Sequence, residues 1–381
     1  MNLKRPHNKS RFGCSRCKSH RIKCDERRPR CSQCDRYSVA CEYPSACQKT
    51  TDQACLGLDS KSSLSRNFGE MRTCITGLQL IHNWTLETYK GFGDTIEEHS
   101  FWQIEVPQLA FTHPLLMHSL LAISCLDLAR RSADRRVDYP TIAAEHQNKA
   151  LPAYRSIISD LERSKTEQNG RAMVAFTNLT TIYAVLSPVS TDPQLSKASR
   201  VVAHAIESFS LLRGSAKIVA VVGDSSLGCA LASLTRAVSG DISLSLNPED
   251  AHLAILEPSI SRDLGVSPLG ADDRSQVISN ALYLLRRCFA MLYLPSNPVR
   301  IVRALKMWVE SIANTYLEML RELRSGALVV LAHWCIMLKR AETTWYLQGS
   351  AENIMSMIAG VLDEEWRAQI AWPLQVVYNQ G

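Results

Sequence analysis

The chain is 381 residues long, 46% apolar and 21% charged, which gives it room for one large domain or two. Its longest nearly apolar run, 326–338, carries His333 and is too short to span a bilayer. The basic start MNLKRPHNK lacks the apolar stretch of a secretory signal, so no membrane span is expected and the sequons at Asn83 and Asn178 carry no weight. The net charge of +6 is unevenly spread: residues 1–50 hold 13 basic and 4 acidic residues, and the remainder holds 30 and 33. A small basic head of net +9 on a body of net −3 is the footprint of nucleic-acid binding confined to the head.

Residues 1–13 form a basic arm, expected to be disordered without DNA. Residues 14–41, CSRCKSHRIKCDERRPRCSQCDRYSVAC, place cysteines at Cys14, Cys17, Cys24, Cys31, Cys34 and Cys41. The unit C-x2-C-x6-C thus occurs twice, 17 residues apart. A C-x2-C pair at the start of a short helix aims two sulfurs at one point, and the third cysteine closes on it. Each half offers three thiolates where a structural Zn²⁺ takes four in a tetrahedron. Two zinc ions therefore need two bridging sulfurs, and Cys14 and Cys31 are the symmetric choice. Disulfides are the rival reading, but they need an oxidising compartment to which the chain shows no route. Too little apolar material separates the cysteines to form a core, so binding metal is also folding.

The basic residues interleave with these cysteines. Lys9, Arg11, Lys23, Arg27, Arg28 and Arg30 are placed for phosphates, which fix register without reading sequence. Arg16, Lys18, His20, Arg21 and Lys23 crowd the first short helix and its exit, where the second half has Gln33, Asp35, Arg36 and Tyr37. The difference in charge says which half faces DNA.

The cysteine spacing, the K-S-R-x-G-C lead-in at 9–14, the C-K-x-x-R-x-K-C run at 17–24 and Pro29 resemble the fungal Zn2Cys6 zinc-cluster transcription factors. That resemblance implies a CGG-like triplet of double-stranded DNA, read in the major groove by His20 and Arg21 with help from Lys18. The family usually has Lys or Arg where this chain has His20, which throws weight onto Lys18 and Arg21. It further implies a nuclear regulator of RNA polymerase II genes, with secondary-metabolite biosynthesis as the regulated pathway.

Residues 42–70 are polar and aperiodic and read as a linker. No heptad pattern persists, so a homodimer would form without a coiled coil. From 71 to 381 the pattern is helical. Leu78, Ile81, Leu86 and Tyr89 with Trp84 form a first apolar stripe, and His113-Pro114 opens a strong helix ending at Arg130 and Arg131. Further helices are expected over 139–164, 170–187, 195–212, 274–293, 298–323, 326–347 and 350–366. The alternating run IVAVV at 218–222 is the one strand-like feature. The fold class is therefore a small zinc-cluster domain joined by a linker to a large all-α domain.

The stretches 80–92, 101–129, 209–214, 327–338, 345–349 and 371–373 resemble fungal-specific transcription factor domains of the sterol uptake control type. That resemblance implies an alternative, a sterol-responsive regulator with a sterol-like ligand in the helical body. No nucleotide-binding, nucleophile-elbow or metalloprotease motif is present, so no catalytic residue is expected. His113 and His118 are five residues apart and do not stack on one helix face, so neither is read as a metal ligand. Trp334, Trp345, Trp366 and Trp372 are read as packing between late helices. Cys47, Cys55, Cys74, Cys125, Cys229, Cys288 and Cys335 show no ligand spacing and read mostly as reduced core residues.

Overall fold

The computed structural model describes residues 13–20, 22–43, 76–93, 95–131, 138–160, 167–189, 192–222, 241–262, 271–295 and 299–378. The chain divides into two compact units, Met1–Arg66 and Asn67–Gly381. Among its described residues the first holds two short helices, α1 (Ser15–Ser19) and α2 (Ser32–Arg36), and its buried side chains are those of Cys14, Cys17, Cys24, Cys31 and Cys34. All but the last residue of the expected arm at 1–13, most of the expected linker and the first residues of the body lie outside the described residues.

In the second unit the described elements are helical, with no strand among the described residues. A first helix, α3, covers 76–86. The expected apolar stripe is shifted there: Leu80, Trp84 and Thr88, four residues apart, are the buried positions, while Leu78 and Leu86 are exposed. Trp84 fixes this register because its Nε1–H donates to the Trp102 carbonyl at 2.8 Å. Helix α4 (Ile96–Ser100) begins with a capping box between Thr95 and Glu98 and continues through a π turn, Phe101–Glu105, into α5 (Val106–Thr112). His113 leaves the helical region, as a residue before proline does, and Pro114 opens α6 (Pro114–Arg131).

Helices α7 (Tyr139–Asp160), α8 (Glu167–Leu186) and α9 (Lys197–Val222) follow, with α6 packed on α7 and α8 on α9. The strand-like run 218–222 is the last stretch of α9. Five residues of β-branched alternation do not override the helix that precedes them. Two short helices, α10 (Asp250–Ala254) and α11 (Glu257–Arg262), were not legible and lead into α12 (Ala271–Met291).

The single helix expected over 298–323 is two, α13 (Ile301–Ser311) and α14 (Asn314–Arg321). Ile312 and Ala313 are extended between them. The break brings Trp308 and Tyr316 edge to face at 5.7 Å, whereas eight residues of continuous helix would separate them by about 12 Å along the axis. Helix α15 (Ser325–Arg340) is buried from Gly326 through Leu338, so the apolar run 326–338 is the central core helix. No helix among the described residues is long and apolar enough to cross a membrane. Gly349, at φ 77°, turns the chain into α16 (Ser350–Val361). Asp363 then accepts from the Trp366 N–H at 3.0 Å and starts α17 (Glu364–Ala368), which ends the helix expected over 350–366. The last helix is α18 (Ala371–Tyr378).

Candidate metal centre and nucleic-acid interface

The head is built twice by its own backbone. Cys14 and Cys31 are the N-caps of α1 and α2, and each sulfur accepts from the N–H three residues on, Cys17 or Cys34, at 3.4 Å. The Cys14 N–H donates to Cys24 Sγ at 3.4 Å, and the Cys31 N–H to Cys41 Sγ at 3.3 Å. Ile22 N–H to the Cys17 carbonyl and Val39 N–H to the Cys34 carbonyl both measure 3.0 Å. Each bond recurs 17 residues later, so the repeat read in the spacing is a repeat in space.

The six sulfurs converge as two overlapping quartets, Cys14, Cys17, Cys24, Cys31 and Cys14, Cys31, Cys34, Cys41, each within 4.8 Å. Cys14 and Cys31 belong to both, the arrangement expected of bridging ligands. The separations Cys14–Cys31, Cys14–Cys34 and Cys17–Cys31 are 3.8, 3.6 and 3.6 Å. Those are far longer than the ~2.05 Å of a disulfide. They match the edge of about 3.8 Å that a tetrahedron has when each Zn–S bond is ~2.3 Å. Burial pushes the Cys34 thiol up to about 12 and the Cys17 thiol further. A metal ion among them reverses this, since a coordinating thiol is deprotonated outright. The residues fit a binuclear zinc cluster, and two Zn²⁺ would be held by the two quartets.

Spacing alone missed two residues that complete the head. The Asp25 carboxylate accepts from the Ser32 N–H at 3.0 Å and from the Ser32 hydroxyl, and these bonds hold Asp25 below the usual carboxylate range. Its counterpart 17 residues on is Glu42, whose backbone carbonyl accepts from the Ser15 N–H at 2.7 Å. Tyr43 lies against the cluster, its hydroxyl donating to the Arg27 carbonyl at 2.7 Å and sitting 3.8 Å from Cys24 Sγ. The Arg28 guanidinium covers its ring at 5.2 Å. An aromatic two residues beyond the last ligand has no spacing signature.

Arg16, Lys18, His20 and Lys23 are all exposed on α1 and its exit. The corresponding residues on the second half are Gln33, Asp35, Tyr37 and Ala40. Arg27, Arg28 and Arg30 are exposed on the connecting loop, with Arg30 also donating to the Val39 carbonyl at 2.8 Å. Lys9, Arg11 and Arg21 lie outside the described residues.

Residues 12–50 match the fungal Zn(2)-Cys(6) binuclear cluster domain. The head is a fungal zinc-cluster domain. A Zn(2)-C6 fungal-type transcription factor of Aspergillus fumigatus, afumD, is 31% identical over 175 residues, 45% of each chain. The chain thus spans under half the length of that relative. A second such factor, of Gibberella zeae, is 21% identical over an alignment covering all of this chain and 88% of its own. The sterol uptake control protein 2 of Candida albicans is 54% identical over 37 residues, 10% of this chain and 5% of its own. The likeness to sterol uptake control proteins is confined to the zinc-cluster segment, so the resemblance read in the helical body is not carried by it. The two fungal-type matches are both to proteins named as Zn(2)-C6 transcription factors.

In the body, His113 caps α5, its Nδ1 2.9 Å from the Leu109 carbonyl. His118 meets His146, not His113, with their Nδ1 atoms 2.9 Å apart. Trp334 stacks on Trp308 and Trp372 on His252, so these tryptophans pack helices together. Cys125, Cys288 and Cys335 are buried free thiols, as expected, while Cys47, Cys55, Cys74 and Cys229 lie outside the described residues.

Proposed function

We propose that the chain is a nuclear, sequence-specific regulator of RNA polymerase II genes whose zinc cluster reads a CGG-like triplet of double-stranded DNA. One observation carries this reading: two halves with matching backbones differ in the charge they display. The first half presents Arg16, Lys18, His20 and Lys23, and the second presents Gln33, Asp35, Arg36, Tyr37 and Ala40, one cation beside one carboxylate. Only the first suits a phosphate-lined groove. The α1 end that carries Lys18 and His20, with Arg21 next to it, is the base-reading edge. Lys9, Arg11, Lys23, Arg27, Arg28 and Arg30 hold the backbone.

The regulated genes are read as a biosynthetic cluster. The longer match, 175 residues to the A. fumigatus factor against 37 to the sterol protein, favours this over a sterol-uptake role.

The test is selection of binding sites from random duplex DNA by the full chain, with zinc and then with chelator. A zinc-dependent CGG-containing site is expected, and one triplet or two reports whether the chain binds alone or as a dimer. In the selected site, Arg21→Ala should relax triplet preference at a cost of about 1–3 kcal/mol. Arg27→Ala should weaken all sequences alike and flatten the salt slope by about one unit. Identical behaviour of the two variants would overturn the assignment of the reading edge.

A further inference from the structure

The helical body contains a hollow whose walls are chemically two-sided. Helices α8, α9, α13 and α15 and the turn Trp345–Leu347 enclose it. On the apolar side Phe209, Leu305, Trp334 and Leu338 line a space of about 90 Å³. An adjoining space of about 330 Å³ shares Phe209, Trp334 and Leu338. The larger space is within the ~300–1,000 Å³ range of small-molecule sites.

On the other side the same hollow meets a cationic face. Arg300, Arg303 and Lys306 line the next recess, with Asn178 and Lys306 common to both. Two of these cations already have carboxylates: Arg300 pairs with Glu98 at 2.6 Å, and Arg303 with Glu310 at 2.9 Å. Lys306 differs. Its Nζ donates to the Asn178 amide oxygen at 3.1 Å, and no carboxylate lies within ion-pair distance of it among the described residues. The Asn178 amide is itself fixed, donating to the Val174 carbonyl at 2.9 Å, so it meets the ammonium with its oxygen. The ammonium has an amide as its hydrogen-bond partner and longer-range charges around it, Arg303 repelling and Glu310 attracting, and burial with the Arg303 charge lowers Lys306 to about 8.

We propose that the helical body binds an apolar organic anion, its hydrocarbon part in the hollow against Phe209, Trp334 and Leu338 and its carboxylate paired with Lys306. The anion supplies an ion-pair partner for Lys306 at a distance that Glu310, held by Arg303, does not reach, and Arg300 and Arg303 add positive potential around the headgroup. The amphiphilic character of the ligand follows from the wall. An uncharged sterol fills the apolar side but brings Lys306 no carboxylate. This site does not depend on the zinc cluster or on which DNA it reads.

The experiment compares decanoate with decanol, its uncharged counterpart, on the full zinc-loaded chain. Binding is followed by equilibrium dialysis and by the fluorescence of the tryptophans. The expected result is saturable binding of one decanoate per chain, with decanol at least tenfold weaker. Lys306→Gln should weaken decanoate at least tenfold, leave decanol unchanged and so show that the body is still folded. Lys306→Arg should retain most of the preference for the acid. Equal affinity for acid and alcohol, an unchanged affinity in Lys306→Gln, tighter binding of ergosterol than of decanoate, or no saturable decanoate binding would each overturn the proposal.

Discussion

The Asp25 carboxylate accepts the N–H of Ser32 at 3.0 Å and so ties the loop leaving the first half of the cluster to the first residue of α2. The corresponding N–H, that of Ser15, is held instead by the backbone carbonyl of Glu42. One half of the head is thus closed by a side chain and the other by main chain. Asp25→Ala is expected to weaken zinc retention by about tenfold, as loss of a group supporting ligand geometry does. Glu42→Ala should leave it unchanged. Competition with a chromophoric chelator measures both.

Cys14 stands in both sulfur quartets and Cys41 in one. Cys14→Ser should therefore disturb both metal sites, dropping bound zinc from two ions per chain to less than one, with loss of head structure. Cys41→Ser should retain close to one ion. Elemental analysis of the purified variants decides the matter, and equal stoichiometry in the two would remove the bridging role of Cys14.

His333 is buried on α15 with its Nδ1 2.8 Å from the Val329 carbonyl. Burial lowers its pKa from 6.5 to about 4. The unfolded chain then takes up the proton first. Stability falls as pH drops below about 6.5 and levels off near 4, once the folded state is protonated too. A shift of that size corresponds to about 3 kcal/mol. His333→Asn should remove this share of the acid sensitivity, read as a smaller drop in melting temperature between pH 6.5 and 4. His146, also lowered to about 4 by burial, should keep its own contribution in that variant.

A methyl group on Gly91 would lie 2.4 Å from Trp345 Cδ1, inside any tolerable contact. The indole is anchored by its Nε1–H to the Thr88 carbonyl at 3.2 Å and covered by Arg130, so it has little freedom to withdraw. Gly91→Ala should cost about 1–3 kcal/mol. Gly77→Ala, with open space around the new methyl, should be neutral or slightly stabilising. Thermal unfolding of the two variants checks the contrast.

The metal centre was legible because cysteine spacing encodes geometry directly: C-x2-C fixes two sulfurs through one helical turn, and counting donors against tetrahedra requires sharing. The all-α body was legible from its periodicity and from Pro114. What could not be read were the places where tertiary contacts override local pattern. Nothing local in 298–323 announces the extended Ile312 and Ala313, and what accompanies the break is a tertiary contact, the meeting of Trp308 with Tyr316. The stripe through Leu78 and Leu86 was misplaced by a fraction of a turn, since Trp84 takes its orientation from the distant Trp102 carbonyl. Asp25 and Tyr43 act through single contacts that carry no periodic signal.

The head is closed by cysteine sulfurs, main-chain groups and the side chains of Asp25, Ser32 and Tyr43, while Arg16, Lys18 and His20 point outward from a scaffold that does not lean on them. If these three residues meet the DNA as proposed, folding and preference are written in separate alphabets. A substitution at one of them would then change which promoters a copy of this protein visits without first having to survive a loss of structure, so that descendants of one duplicated gene would part company in their targets while sharing an unaltered metal core.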